Sequence, residues 1–493
     1  MAKSLSDQAG FLIVANLVKY AVGFIMPMVL VRLLSQSDYG SYQQLILIGT
    51  AVTGVLTLGL PTSIYYFYHH VGPRKRPALI MQTTLLLVVA GAAATLATWF
   101  SADELSTRLN NPTASGLLQI YALSLFFTIA SEHCLHVMIA QNRYGLAVGL
   151  EIGETVVRVL TLLAPLYWGY GISGLIIGIV VYSALRFFVR NVYLLNRSDV
   201  GFAGWKKQSF VSEQMAYSIP VALVTLSSLI GSTLNRGMLA ATFTPAHYAI
   251  YAVGALEIPL DVIFQASVAN VLRARLPSLV QEGNLEEIAR IMREAVRKLS
   301  MIVIPSFVFL LGHSHEFITL LFTSHYEESV HVFRIYLWLI PLHMLVLSPI
   351  PQAFGKPKFN LYIVVTMNVL LLVLGYILLK FVGFYGPALA AVITQYIQSA
   401  VFFFIVRRLT KASLHQLLSI QHMLRVTAAA LISLAASYFI GQFMSAGLIH
   451  LAFSGVAFSI VFFMVAALLR VFSDDDINLL RRWAGKLIPF KLA

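Results

Sequence analysis

The chain has 493 residues, of which 58% are hydrophobic and 11% charged, with 34 Lys and Arg against 21 Asp and Glu. Soluble domains are about 25% charged and 45–50% apolar, so this composition excludes a soluble enzyme, a disordered chain and a secreted disulfide scaffold. The single cysteine, Cys134, cannot form an internal disulfide.

Long apolar runs separated by short charged breaks predict an all-α polytopic membrane protein with fourteen spans. Spans one to six fall at 11–31, 42–68, 78–100, 114–140, 146–167 and 171–194. Spans seven to twelve fall at 214–235, 247–272, 299–322, 332–354, 359–380 and 385–406, and the last two at 422–443 and 448–470. The first run is too long for the apolar part of a signal peptide and lacks a cleavage site. Trp205-Lys206-Lys207, within Gly201 to Val211, reads as an interfacial segment. Gly283 to Ser300 reads as an amphipathic interfacial helix, with an apolar stripe of Leu285, Ile288, Met292, Ala295 and Leu299. Its i,i+4 pairs are Glu286 with Arg290 and Glu294 with Lys298. Asp474, Asp475 and Asp476 read as the N-terminal cap of a last short helix.

Charge sets the orientation. With the N-terminus inside, 26 of the 34 Lys and Arg fall on inside loops, five at outside ends and three within spans. That bias fits cytoplasmic N- and C-termini and an even number of spans. It accounts for the basic balance without nucleic acid.

Two halves of the chain can be overlaid. Ser35-Gln36-Ser37-Asp38-Tyr39-Gly40-Ser41-Tyr42 after span one matches Thr244-Pro245-Ala246-His247-Tyr248-Ala249-Ile250-Tyr251 after span seven. Leu118 to Tyr121 matches Phe333 to Tyr336, Ala140 to Arg143 matches Ala353 to Lys356, and Gly169 to Ile172 matches Gly383 to Gly386. These three pairs sit at offsets of 215, 213 and about 215. Spans one to six therefore repeat as seven to twelve, in parallel, which is one of the common transporter plans. The expected organisation is 1–200 as a first lobe, 201–213 as a cytoplasmic linker, 214–410 as a second lobe, and 411–493 as two further spans and a tail.

Arg32 to Tyr42 closely resembles the Leu-Ser-x-x-Asp/Glu-Tyr-Gly-x-Tyr opening of the Wzx-type lipid-linked oligosaccharide flippases. These belong to the MOP superfamily, which also holds the MATE exporters and lipid II flippases. Gly59 to Thr62, Ser218-Ile219-Pro220, Phe322 to Tyr326, Ala353 to Pro357 and Gly383 to Ala388 resemble further segments of that family, in order, across about residues 5–410. Two positions depart from it: Asn235 stands where Asp is common, and Ala249 where Gly is usual. The resemblance implies a MATE-like fold of two six-helix lobes in a V around a central cavity. It implies movement of an undecaprenyl-pyrophosphate-linked oligosaccharide from the cytoplasmic to the outer leaflet of the bacterial inner membrane. Partners so implied are that lipid-linked glycan, membrane lipids, a coupling H+ or Na+, and a polysaccharide polymerase with its chain-length regulator.

A polar, anionic headgroup crossing hydrocarbon needs a wet cavity with fixed cations, and ionisable residues within spans are functional candidates. Lys19 lies about 12 Å into span one, a candidate contact for phosphate or sugar or else an ion pair with another span. Arg32 and Arg236 end the first spans of the two halves, bracketing the mouth or simply snorkelling. Glu151, Glu154 and Arg158 share a stripe of span five, with Glu154 and Arg158 spaced as an i,i+4 pair. If it is not so neutralised, Arg158 meets the anion. Glu257 and Asp261 are i,i+4 carboxylates in span eight and candidates for a coupling-ion site. Glu132, His133 and His136 form a polar stripe in span four, with Glu132 and His136 as an i,i+4 packing pair or a proton relay. Tyr65, Tyr66 and Tyr68 are candidates for stacking on sugars. His313, His315, His325 and His331 read as a solvated loop without zinc spacing. No metal, cofactor or catalytic residue is expected, and no Walker A segment implies direct use of ATP.

The alternatives are a MATE-like or major-facilitator small-molecule exporter and, from a different class, a membrane glycosyltransferase or glycan polymerase. The segment Val71 to Pro77 lacks the acidic loop signature of the major facilitators. No long outer loop is present to carry a catalytic set.

Overall fold

A computed structural model describes residues 5–197, 210–356, 358–442, 447–473 and 476. The segment around Trp205-Lys206-Lys207, and Asp474 and Asp475, lie outside the described residues. Among those residues the chain is helical with no strand. It forms two compact units, Met1–Val253 with Val364–Ala391, and Gly254–Ile363 with Val392–Ala493.

The helices in chain order begin with α1 (Leu5–Leu33), α2 (Gln36–Leu56), α3 (Leu60–His70), α4 (Arg76–Phe100), α5 (Ala102–Arg108), α6 (Ser115–Ala130) and α7 (His133–Ala140). They continue with α8 (Tyr144–Tyr167), α9 (Gly171–Arg197), α10 (Val211–Thr242), α11 (Pro245–Gly254), α12 (Pro259–Gln281), α13 (Leu285–Gly312) and α14 (Ser314–Phe322). The remainder are α15 (Ser329–Leu337), α16 (Pro349–Ala353), α17 (Lys358–Val382), α18 (Gly386–Thr410), α19 (Leu414–Leu417), α20 (Ile420–Gly441) and α21 (Leu448–Leu468).

Among the described residues nine helical stretches are long and apolar enough to cross a membrane, fewer than the fourteen spans read from the sequence. Spans eleven and twelve count as one stretch, Lys358–Thr410, and the 24-residue α8 carries Glu151, Glu154 and Arg158 within it. Four expected spans are broken, three of them still among the nine. Span two stops at Leu56 and restarts at Leu60 through Leu58 and Gly59, both left-handed at φ 47° and 67°. Span four breaks at Ser131 and Glu132, between α6 and α7. Span eight breaks between Gly254 and Pro259, and span ten between α15 and α16. Spans eight and ten are the counterparts of two and four, so the interruptions follow the repeat.

The repeat also holds in local chemistry. Ser35 caps α2 by accepting from the Asp38 N–H at 3.1 Å and donates to the Asp38 carboxylate at 2.8 Å. Thr244 stands at the same place before α11, with its hydroxyl 2.7 Å from His247 Nδ1. Tyr39 and Tyr248 are buried at matching positions, as are Tyr42 and Tyr251. Asn142 and Gly355 both adopt left-handed backbone, and each ends a helix with the same paired bonds. In one copy Arg143 N–H reaches the Met138 carbonyl at 3.0 Å; in the other Lys356 N–H reaches that of Pro351 at 2.8 Å. Gly40 has a separate reason. A Cβ there would stand 1.8 Å from the Pro245 carbonyl oxygen, so only glycine permits this approach of α2 to the start of α11.

In the first unit α6 packs on α4 and α9, and α8 on α9 and α1. A buried amide relay ties α4 to α10: Gln82 donates to Gln214 at 3.0 Å, and Gln214 donates to Ser63 at 2.8 Å and Thr83 at 2.9 Å.

In the second unit α13 is continuous from Leu285 to Gly312. The amphipathic segment is therefore the basic end of a span rather than a separate helix. Its stripe of Ile288, Met292, Ala295 and Leu299 is buried as expected. Lys298 pairs with Glu294 at 2.8 Å as expected, but Arg290 takes Glu287 at 2.6 Å rather than Glu286. The α13 apolar face continues into a core with α20 and α21 built on Ile304, Val308, Val426, Phe458 and Phe462. His313 is buried against Ser437 at 3.0 Å rather than solvated.

Candidate functional site

The intramembrane charges of the first unit converge on one cavity of about 330 Å³. Four helices and one break build it. α1 brings Lys19, the break between α6 and α7 brings Glu132, α7 brings His136, and α8 and α9 bring one charged stripe each. On α8 the stripe is Glu151, Glu154 and Arg158. On α9 it is Tyr182, Arg186 and Arg190, successive at i,i+4 and so on one face. Because α8 packs on α9, the two stripes face each other.

The pairing differs from that expected from spacing. Arg190 holds both oxygens of Glu154, each at 2.7 Å, with side chains only 6% and 12% exposed. Its remaining nitrogen reaches the Ser131 carbonyl, at the break in span four, at 3.4 Å, beside the Cys134 N–H that the same oxygen accepts. Arg186 pairs with Glu132 at 2.7 Å. The Glu132 carboxylate therefore leaves His136, which hydrogen-bonds the Glu132 carbonyl at 3.2 Å. Helical neighbours four apart were the expected partners; the facing helix supplies a planar guanidinium that can take both oxygens at once. Lys19 pairs with Glu151 at 2.9 Å and remains 52% exposed.

Arg158 is thus released from Glu154. It is exposed at the cavity and within hydrogen-bonding reach of the buried Tyr42 hydroxyl. The lining carries four cations against three carboxylates, so one positive charge is in excess. With three carboxylates spoken for, that excess sits on Arg158.

The other expected site residues disperse. Tyr65 adjoins the cavity, its ring 5.0 Å from that of His136. Tyr66 stacks on His70 at 3.9 Å and on Tyr217 at 4.7 Å while remaining 42% exposed, and Tyr68 lies under Arg76 at 4.5 Å. Arg32 bonds its own helix at the Met28 carbonyl, 2.5 Å away, and Arg236 is exposed on α10. Neither lines the cavity. Asn235 is buried and donates to the Pro387 carbonyl at 3.1 Å.

Glu257 and Asp261 do not sit one turn apart on a helix. Glu257 lies in the break before α12, exposed and close enough to His343 to act on its charge. The Asp261 side chain lies outside what the structure describes. Pro259 restarts the helix between them. Arg186 and Arg190 were not singled out from sequence as site residues. Their signal was present: two arginines four apart in an otherwise apolar span.

Residues 29–331 match the sequence profile of a family described as polysaccharide biosynthesis protein. No curated protein sequence matches the chain. Among solved structures it is similar to a lipid II flippase, MurJ, in an inward closed conformation, with a TM-score of 0.71 and 15% identity over 92% of this chain and 98% of that one. It is also similar to an inward-facing multidrug resistance MATE transporter of the MOP superfamily, with a TM-score of 0.64 and 13% identity over 78% of this chain and 96% of that one. A MOP superfamily transporter from Pyrococcus furiosus gives a TM-score of 0.53 at 13% identity over 82% of this chain and 94% of that one. These likenesses establish a MurJ- and MATE-like fold, and with the apolar helices a multi-pass membrane protein.

Proposed function

We propose that this chain, which belongs to the polysaccharide biosynthesis protein family, is a flippase that carries a lipid-linked oligosaccharide, joined to its polyprenyl lipid through a diphosphate, across the bilayer by alternating access. The observation that carries the reading is the charge of the cavity. In a membrane span an unneutralised guanidinium is unfavourable unless it meets water or an anion. A diphosphate supplies that anion, and Arg158 stands at the cavity to receive it.

The three ion pairs divide the work. Arg190–Glu154 and Arg186–Glu132 fix α9 to its neighbours and keep both guanidinium groups oriented toward the cavity. In Lys19–Glu151 the lysine is 52% exposed and the carboxylate 12%. Lys19 is thus open to an entering phosphate while Glu151 stays beside it. Tyr65 offers a ring beside the pocket for a sugar face.

A cation exporter of the MATE kind is the second reading, and the site disfavours it. Glu132, Glu151 and Glu154 are all paired with protein cations, leaving no carboxylate for a cationic substrate. The same pairing counts against these three as a proton site, since protonating any of them strands a positive charge.

The test is flipping in liposomes of a fluorescent polyprenyl-diphosphate glycan, read by quenching from outside. Arg158→Ala is expected to lower the initial rate at least about tenfold, the loss of one charge-assisted contact. Arg158→Lys should keep part of it. Wild-type protein that flips no such lipid but extrudes organic cations would sink the proposal.

A further inference from the structure

A second cationic cavity lies in the other unit, and the transport reading does not use it. It has a volume of about 530 Å³ and sits where the basic end of α13 meets the start of α20. Arg290, Arg293, Arg297, Arg425, His415 and His422 line it, with Glu294 as the acidic member. Two of the arginines are committed elsewhere. Arg297 makes a bidentate pair with Asp476 at 2.6 and 3.1 Å, and Arg290 pairs with Glu287. Arg293 and Arg425 have no carboxylate partner among the described residues. Arg293 donates to the Ser419 hydroxyl at 3.2 Å.

That contact has a consequence for α20. Ser419 is its N-cap residue, yet its side chain caps no backbone N–H. The first helical bond runs from the Met423 N–H to the Ser419 carbonyl at 2.9 Å. The N–H groups before it have no partner within the helix. The positive end of a 22-residue helix thus opens into a cavity already rich in arginine. Arginine side chains and an uncapped helix start both call for the same thing, a multivalent oxygen acceptor.

The surface beside the cavity identifies its source. Arg425, Ile432 and Phe439 follow at seven-residue intervals and so share one face of α20. Ile432 is 51% and Phe439 64% exposed. A cation at the head of an exposed apolar stripe running down a span matches a lipid, headgroup first and chain along the helix.

We propose that Arg293, Arg425 and the start of α20 bind the phosphate of an anionic membrane lipid, at a site separate from the cavity of the first unit. The purified full chain, stripped of lipid, is titrated with phosphatidylglycerol or phosphatidylethanolamine, and bound lipid is counted by native mass spectrometry. Wild type is expected to prefer phosphatidylglycerol, and the Arg293→Gln/Arg425→Gln double variant to lose about 30-fold in affinity. Equal affinity of variant and wild type overturns the proposal. So does inorganic pyrophosphate that stabilises the lipid-free protein as well as the lipid does, because the cavity would then be a soluble-anion site. Should the double variant not fold, wild type is photo-crosslinked to phosphatidylglycerol. Adducts within 290–297 and 415–425 support the site, and adducts confined to other segments overturn it.

Discussion

Arg190 binds Glu154 through two parallel hydrogen bonds of 2.7 Å across the interface of α8 and α9, in a pair almost wholly withdrawn from solvent. Removing one member of such a pair leaves a buried charge uncompensated and costs about 3–5 kcal/mol. Glu154→Ala and Arg190→Ala are each expected to lower the melting temperature of the purified protein markedly. Replacing both, as Glu154→Leu with Arg190→Met, should recover most of the loss. Single variants that melt like wild type would show that water already solvates the pair.

Lys19 is the open member of its pair, 52% exposed against 12% for Glu151. A pair with one member in solvent is worth less than one buried on both sides, so Lys19→Ala should lower the melting temperature less than Arg190→Ala does. Transport of the lipid-linked glycan should fall as well. A variant equal to wild type in both melting and flipping would remove Lys19 from the ligand path.

Gly40 is expected to tolerate no side chain. The Pro245 carbonyl occupies the place of a Cβ, and overpacking of this kind costs about 1–3 kcal/mol. Gly40→Ala should reduce folded yield and melting temperature, while Gly72→Ala, with open space around it, should do neither. Comparable melting of the two variants would contradict the close approach.

Asp476 carries a pH signature. Burial alone would raise its carboxyl, but hydrogen bonds from Arg297 and Ser473 outweigh this and hold it well below the usual carboxylate range. A folded-state value below the unfolded one, about 3.9, gives stability that is present above pH 4 and lost as pH falls further. Asp476→Asn should therefore be less stable than wild type near pH 7. The difference should shrink below about pH 4. A difference independent of pH would mean that the pairing is not electrostatic.

Much of the fold was legible because hydropathy and turn chemistry act locally. Ser35 and Asp38 announce a helix start, and Asn142 and Gly355 announce helix ends, whatever surrounds them. The repeat was legible for the same reason, since its matches are caps and turns. The partners of the charges were not. Glu154 to Arg158 and Glu132 to His136 were read along one helix, where spacing gives a neighbour but not its competitor. Arg190 and Arg186 win these carboxylates from across the helix interface, which no single helix encodes. The break in span eight was hidden within a mostly apolar run, although Glu257 and Pro259 mark it. The family-like motif from Arg32 to Tyr42 proved to be a cap, two buried rings and a close approach, and it meets the cavity only where Tyr42 reaches Arg158.

The four interrupted spans bear on motion. An unbroken helix bends only by losing backbone bonds in hydrocarbon, where nothing replaces them. At Leu58 and Gly59, at Ser131 and Glu132, and between Gly254 and Pro259 the regular helix is already absent. A half-span there can swing on a few backbone torsions while both flanking segments stay intact, on the microsecond-to-millisecond scale of hinge movements. One such pivot carries Glu132 itself, so any swing of α7 against α6 would drag on the salt link to Arg186 and register in the field of the cavity.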